Sequence, residues 1–174
     1  DLDRKFGAEI GLGKKRKRRG RVRVGKAVAC MIKASTTEAQ SEAKLQANRD
    51  GTFTVFSSSV EMGQGAETVM AQIAAEELGV AWKGISFIVQ RPDTDLTPFD
   101  AMTTASRSTF CMGNAVRRAA KDLQEKLVQF AAEIMEISPQ DLRVENGRIF
   151  AAGAQHKGHS YKELAVLHFK RKEK

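Results

Sequence analysis

Two short stretches of this chain carry glycines and polar side chains spaced to hold an anionic ligand. The first is Val60-Glu61-Met62-Gly63-Gln64-Gly65-Ala66-Glu67-Thr68. Glycines on both sides of Gln64 let the backbone take positive φ and approach a ligand closely. After Gly65 the apolar period becomes helical, so the free N–H groups and positive dipole end of a helix face the same place. Gln64 offers an amide that both donates and accepts, suited to an oxo or hydroxyl group. The second stretch is Thr103-Thr104-Ala105-Ser106-Arg107-Ser108-Thr109. Ser106, Ser108 and Thr109 supply hydroxyls, Arg107 supplies a donor fork fitted to phosphate, and a long helix begins close behind. Each stretch also has a plain structural reading: a tight strand-to-helix turn for the glycines, and an N-cap with a solvated arginine for the second. Two such corners in one domain favour one large polyphosphorylated cofactor over two coincidences.

The elements that position these corners follow from periodicity. Residues 21–34 read as a strand marked by Val22, Val24 and Val28, and residues 43–48 and 52–56 as two more strands joined at Asp50-Gly51. Val69, Met70, Ile73, Ala74 and Leu78 form one apolar helix face, with Gly79 as its stop. Residues 84–90 are a further strand. From there to Gly113 no period holds, but Asp93-Thr94-Asp95 and Pro98-Phe99-Asp100 are turn formers, and the stretch reads as an ordered binding loop. Val116, Ala120, Leu123, Leu127, Phe130, Ala131 and Ile134 give the second helix its apolar face, ended by Ser138-Pro139. A hairpin turning at Asn146-Gly147 and a terminal helix over 161–169 complete the chain. The expected fold class is α+β, a mixed β-sheet with strand pairs alternating with helices packed on one face.

The chain has 174 residues, 41% hydrophobic and 6% aromatic, which suits one domain with a core. No window approaches a membrane span and the start lacks a secretion signal's apolar core, which places the chain in the cytosol. Cys30 and Cys111 have no metal-ligand spacing; both are expected reduced and buried, without a disulfide, zinc or iron-sulfur role. The net charge of +8 is concentrated: nine basic residues lie between Lys14 and Lys26, and four among residues 170–174. What remains carries 16 basic and 20 acidic residues, so the body is mildly acidic. The run Lys14-Lys15-Arg16-Lys17-Arg18-Arg19 reads as a solvated connector, and without interleaved aromatics nucleic acid is not favoured as a partner. The division is thus a basic connector at 1–20, a domain at 21–169 and a charged tail at 170–174.

The order and wording of the motifs resemble the molybdenum-binding large subunits of the xanthine dehydrogenase, aldehyde oxidoreductase and carbon monoxide dehydrogenase family. The residues that carry the resemblance are Val60 to Gly65, the helix with Gln72-Ile73-Ala74-Ala75-Glu76-Glu77-Leu78-Gly79, the turn formers at 93–95 and 98–100, and Ala105-Ser106-Arg107-Ser108-Thr109 with Gly113-Asn114-Ala115-Val116. The likeness implies a segment of the second cofactor-binding region. In it Met62, Gly63, Gln64 and Gly65 face molybdenum and pterin, and Thr104, Ala105, Ser106, Arg107 and Ser108 wrap the pterin and its phosphates. The metal, near the Ala105 backbone, is held by the pterin and not by protein side chains. The cofactor implied is molybdenum-molybdopterin, with or without a nucleotide on the pterin. The family hydroxylates aldehydes, purines and other heterocycles with oxygen from water, and passes electrons out through iron-sulfur clusters and FAD.

Such subunits are several times longer than this chain, and the general-base glutamate lies in a later region. The resemblance therefore implies a fragment, inactive alone. Its partners would be the rest of the large subunit, 2Fe-2S and FAD segments or subunits, and a small-molecule substrate. Glu61 and Glu67 beside the glycines read as having a cap or structural role and not as the proton-abstracting base. A non-catalytic cofactor-binding or assembly module is the competing reading, with a nucleic-acid-binding protein behind it.

Overall fold

The computed structural model describes residues 29–32, 40–89 and 95–172, the backbone only for 84–89. Asp1–Ala34 and Ser35–Lys174 are separate compact units. The connector expected at 1–20 lies outside the described residues, as does most of the strand expected at 21–34; residues 29–32 have no regular structure. Cys30 is exposed and Cys111 half-buried, which corrects the expectation that both thiols are buried; neither forms a disulfide.

In the second unit, β1 (Lys44–Ala47) and β2 (Phe53–Ser57) pair antiparallel. Their turn is fixed by Asp50, which accepts from the Thr52 N–H at 2.9 Å and its hydroxyl at 2.6 Å. Helix α1 (Ala66–Leu78) then carries the chain to β3 (Ile85–Val89), which runs parallel to β2. A parallel pair needs such a crossover, and it brings the carboxyl ends of β2 and β3 to the same edge of the sheet. The loops leaving those two strands are the ones that hold both motifs.

Helix α1 stops where Gly79 enters the left-handed region (φ 65) and Val80 N–H reaches back to the Ala75 carbonyl at 3.0 Å. A π-helical turn over Ser108–Met112 leads into α2 (Gly113–Met135), so helical backbone begins closer to the second motif than its apolar face indicates. Glu136 takes the left-handed position at the end of α2 without being glycine. A second sheet follows: β4 (Leu142–Glu145), β5 (Arg148–Ala151) and β6 (Ala154–Ser160), all antiparallel. Asn146 (φ 50) and Gly147 (φ 71) form the expected tight turn between β4 and β5. β6 has no counterpart in the sequence reading because Gln155, His156, Lys157 and His159 lack strand character. It pairs so closely that a Cβ at Gly158 would meet the Ile149 carbonyl oxygen at 2.4 Å.

The α+β content is as expected, but among the described residues the strands divide between two three-stranded sheets where one was anticipated. The β4–β6 segment closes its own sheet through short turns, which costs less loop entropy than joining a distant edge. Helix α3 (Tyr161–Lys172) opens on a reciprocal cap, with Glu163 accepting from Ser160 N–H at 2.7 Å and Ser160 Oγ accepting from Glu163 N–H at 3.2 Å. It runs three residues beyond the expected end.

One core joins these parts. Phe53 and Val55 of β2, Met70, Ala74 and Leu78 of α1, and Val116, Ala120 and Ala131 of α2 pack with Leu142, Ile149, Tyr161 and Leu164. Tyr161 ties the two halves: its ring meets Phe53 edge-on at 5.3 Å, its hydroxyl donates to the Leu78 carbonyl at 2.8 Å, and its N–H donates to the Gly147 carbonyl at 2.9 Å. Burial pushes its phenol from 10.0 up to about 12. Tyr161→Phe should cost about 1–3 kcal/mol by leaving the Leu78 carbonyl unpaired, measured by urea unfolding. The wild-type chain should also lose stability as pH rises from about 10 through about 12, because folding holds the phenol in its neutral form, and the variant should lack that loss.

Candidate cofactor-binding site

The two motifs meet at the carboxyl edge of the parallel pair. As the chain leaves β2, Ser58 Oγ donates to the Pro98 carbonyl at 2.5 Å and lies 3.0 Å from Thr97 Oγ1. Two residues later Val60 N–H donates to Thr103 Oγ1 at 2.8 Å. The Met62–Gly65 loop and the Thr104–Ser108 loop thus rise side by side from a shared base.

In the first loop Gly63 (φ 90) and Gly65 (φ 77) both take positive φ, and a Cβ placed on either would touch nothing within 4 Å. The glycines therefore serve the backbone path and leave open space above it. Met62, Gly63 and Gln64 are exposed. The Gln64 amide folds onto its own loop, accepting from Met62 N–H and donating to the Val60 carbonyl at 2.7 Å. Glu61 caps the start of α1, as expected of a cap. Its Oε1 accepts from Gly63 N–H at 2.8 Å and Gly65 N–H at 3.0 Å, and its Oε2 from Glu67 N–H at 3.1 Å. The Glu67 and Gly65 N–H groups hold this carboxyl below its ordinary 4.5. The expectation that the helix end offers free N–H groups to an anion is narrowed here, because the Gly65 and Glu67 N–H groups already serve Glu61.

The second loop is conformationally costly. Ala105 (φ 51) and Ser106 (φ 56) both lie in the left-handed region, which disfavours residues with a Cβ by roughly 1–2 kcal/mol each. Thr104 and Ser106 are exposed, Ala105 and Ser108 half-buried. Arg107 is buried immediately after the strained pair. Its Nη1 donates to Asp100 Oδ1 at 2.8 Å and the Met102 carbonyl at 2.6 Å; its Nη2 donates to Ser41 Oγ at 2.9 Å and the Gln40 carbonyl at 3.2 Å. Ser41 in turn donates to Asp100 Oδ1 at 2.7 Å. Arg107 was expected as an open phosphate fork; the structure turns its two terminal nitrogens onto protein acceptors, because a guanidinium this deeply buried must find its partners locally. Asp100 and Ser41 carry no site role in the sequence reading. A signal for the pair did exist, since Asp100 and Arg107 are the sole charged residues from Leu96 to Val116.

These loops suit a large polar ligand. They combine open space above two glycines, exposed Ser106 and Thr104 hydroxyls, a strained peptide of the kind that gathers at binding sites, and one buried hydroxyl. That hydroxyl, of Ser59 just below the first loop, has no hydrogen-bond partner among the described residues, and an orphaned buried polar atom invites a ligand or water. Among the described residues no three His, Cys, Asp or Glu side chains gather as metal ligands.

Residues 5–173 match the molybdopterin cofactor-binding domain, and the chain belongs to that family. It is 38% identical over 134 residues to the putative xanthine dehydrogenase molybdenum-binding subunit of Escherichia coli K12, covering 75% of this chain and 18% of that protein. It is 38% identical over 109 residues to the 6-hydroxypseudooxynicotine dehydrogenase complex subunit gamma of Paenarthrobacter nicotinovorans, covering 63% and 14%. The fold superposes on quinoline 2-oxidoreductase of Pseudomonas putida 86 with a TM-score of 0.67 at 30% identity, covering 79% of this chain and 17% of that one. The chain thus spans less than a fifth of the length of each.

Two outcomes check this geometry. Arg107→Ala strands Asp100 in the interior and should cost about 3–5 kcal/mol in chemical unfolding, where loss of a solvated phosphate ligand would cost under about 0.5. The lowered Glu61 carboxyl stabilises the folded state above its ordinary value and ceases to as pH falls through its folded value, so the Gly63, Gly65 and Glu67 amide resonances should titrate together, below 4.5.

Proposed function

We propose that this chain is the segment of a molybdenum hydroxylase large subunit that holds the molybdenum-pterin group. Met62, Gly63, Gln64 and Gly65 contribute from one loop, and Thr104, Ala105, Ser106 and Ser108 from the other. The single observation that carries the reading is the convergence of these loops at the carboxyl edge of β2 and β3, with Ala105 and Ser106 held in strained backbone. When bound, the group supplies the metal centre for hydroxylating an aldehyde, a purine or another heterocycle with oxygen from water.

The chain's own residues bind and orient. Exposed Thr104 and Ser106 would offer their hydroxyls to the pterin and its phosphates, and Ala105, in its left-handed backbone, would help hold the group. Gln64 turns outward by exchanging two exposed local bonds, each worth about 0.5–1.5 kcal/mol net. Arg107 acts one step removed, fixing the second loop through Asp100, Ser41 and two carbonyls. Glu61 caps α1 and is committed to three N–H groups, so the general base lies on another segment and the isolated chain turns over no substrate. FAD and 2Fe-2S centres sit on other segments or subunits, in keeping with the subunit wording of the relatives' names. No described helix is long and apolar enough to cross a membrane, and a cytoplasmic location completes the proposal.

In the complete large subunit, Gln64→Ala should lower turnover roughly 10- to 100-fold while shifting the melting temperature by no more than about 2 °C. Ser106→Ala should lower molybdenum content, measured by plasma mass spectrometry. Wild-type turnover and metal content in both variants would remove the assignment.

A further inference from the structure

Gln64 and Glu61 make their bonds inside the first loop. Gln64 accepts from Met62 N–H and donates to the Val60 carbonyl, and Glu61 accepts from the Gly63, Gly65 and Glu67 N–H groups. These bonds fix the loop's shape, and none of them sets its distance from the second loop. The gap is crossed where Val60 N–H donates to Thr103 Oγ1 at 2.8 Å, 43 residues away in sequence.

Arg107 holds Thr103 from both sides. Its Nη1 donates to the Met102 carbonyl, and its backbone N–H donates to the Thr104 carbonyl at 3.1 Å. The half-buried residue between them therefore has its backbone anchored on each flank, and its β-branched side chain is stiff at χ1. Its hydroxyl oxygen is a fixed acceptor on the second loop, set against the residue from which the first loop departs. The Val60 carbonyl in turn accepts from Gln64 Nε2 at 2.7 Å. One line of contacts thus runs from Arg107 through Thr103 and Val60 to Gln64.

We propose that Thr103 is a positioning residue, which carries the anchorage of Arg107 across the site and sets where Gln64 stands relative to Thr104–Ser108. The inference rests on the function proposed above, in which both loops serve one group. A ligand held from two sides needs their separation fixed, because a misplacement of about 1 Å can cost on the order of 100-fold in rate. Threonine suits the task through its oxygen and not its bulk, since valine has the same shape without an acceptor. With Val60 52% exposed, water can replace the lost acceptor, so removing it loosens the crossing and leaves the fold standing.

The test uses the assembled enzyme with its complete large subunit. Thr103→Val should lower kcat roughly 10-fold with KM changed by less than about 3-fold, and Thr103→Ser, which restores the oxygen, should recover most of the loss. In a Gln64→Ala background the same Thr103→Val change should cost no more than about 2-fold, because residues that act through one another are not additive. Amide hydrogen exchange, read by mass spectrometry, should be about 10-fold faster over residues 60–65 in Thr103→Val and unchanged over 104–108, where Arg107 still holds the chain. The melting temperature should move by no more than about 2 °C.

Wild-type kcat or wild-type exchange in Thr103→Val overturns the inference. So does an equal fall in both backgrounds, which gives Thr103 a role apart from Gln64. A loss that Thr103→Ser fails to recover, with a melting shift above about 5 °C, makes the residue merely structural and overturns it too. Gln64→Ala keeps the two readings apart. If it lowers turnover while Thr103→Val is silent, the positioning role alone falls. If Gln64→Ala is itself silent and Ser106→Ala keeps its metal, the cofactor reading falls and takes this inference with it.

Discussion

The buried pairing of Arg107 with Asp100 is the constraint on which the candidate site depends. Taking both charges out of water is expensive, and the geometry offsets the cost by giving the guanidinium a carboxylate, two carbonyls and a hydroxyl within 3.2 Å. Because those acceptors come from Gln40 and Ser41, from Asp100 and from Met102, one side chain fixes three stretches of backbone that no regular strand or helix would hold. The Ser41–Asp100 bridge and the Ala101 N–H bond to the Gln40 carbonyl extend the same junction. With Arg107 immobilised, the two residues before it have little freedom, and their left-handed backbone is tolerated because its surroundings leave no alternative.

The parallel register of β2 with β3 supplies the second requirement. It sends the loop after each strand out of the same edge, so residues far apart in sequence share a rim, and the Val60–Thr103 and Ser58–Pro98 bonds lock that proximity. Two of the charged groups here are already engaged within the chain: Glu61 is drawn into capping α1, and Asp100 and Arg107 pair inside. What remains outward is backbone, hydroxyls, an amide and a fringe of Met, Phe, Leu and Val. Such a surface suits a polar ligand at its centre.

The elements legible in the sequence were those whose signals are local. The 3.6 period placed α1 and α2, Gly79 marked the end of α1, and Asn146-Gly147 gave the β4–β5 turn. β6 was illegible because its side chains are polar and its existence depends on pairing with β5, with Gly158 admitting the close approach. The division into two sheets was hidden for a related reason, since strand patterns show where strands are and not which partner each takes. For Arg107 the residue type suggests an anion ligand, whereas its burial sets both terminal nitrogens on acceptors within the chain.

The sequence by itself determined the family and the two glycine- and hydroxyl-bearing corners, because residue type and spacing are properties of the chain alone. It also pointed to a cap or structural role for Glu61 and Glu67, since a carboxylate beside a helix start has N–H groups within reach, and the fold gave the cap to Glu61. Only the tertiary structure decided which groups are left to meet a ligand. Hydrogen-bond donors are finite, and long-range contacts allot them: Arg107 to Asp100 and Ser41, Val60 to Thr103, and none among the described residues to Ser59. That allotment depends on distances that close only when β2 and β3 pair in parallel.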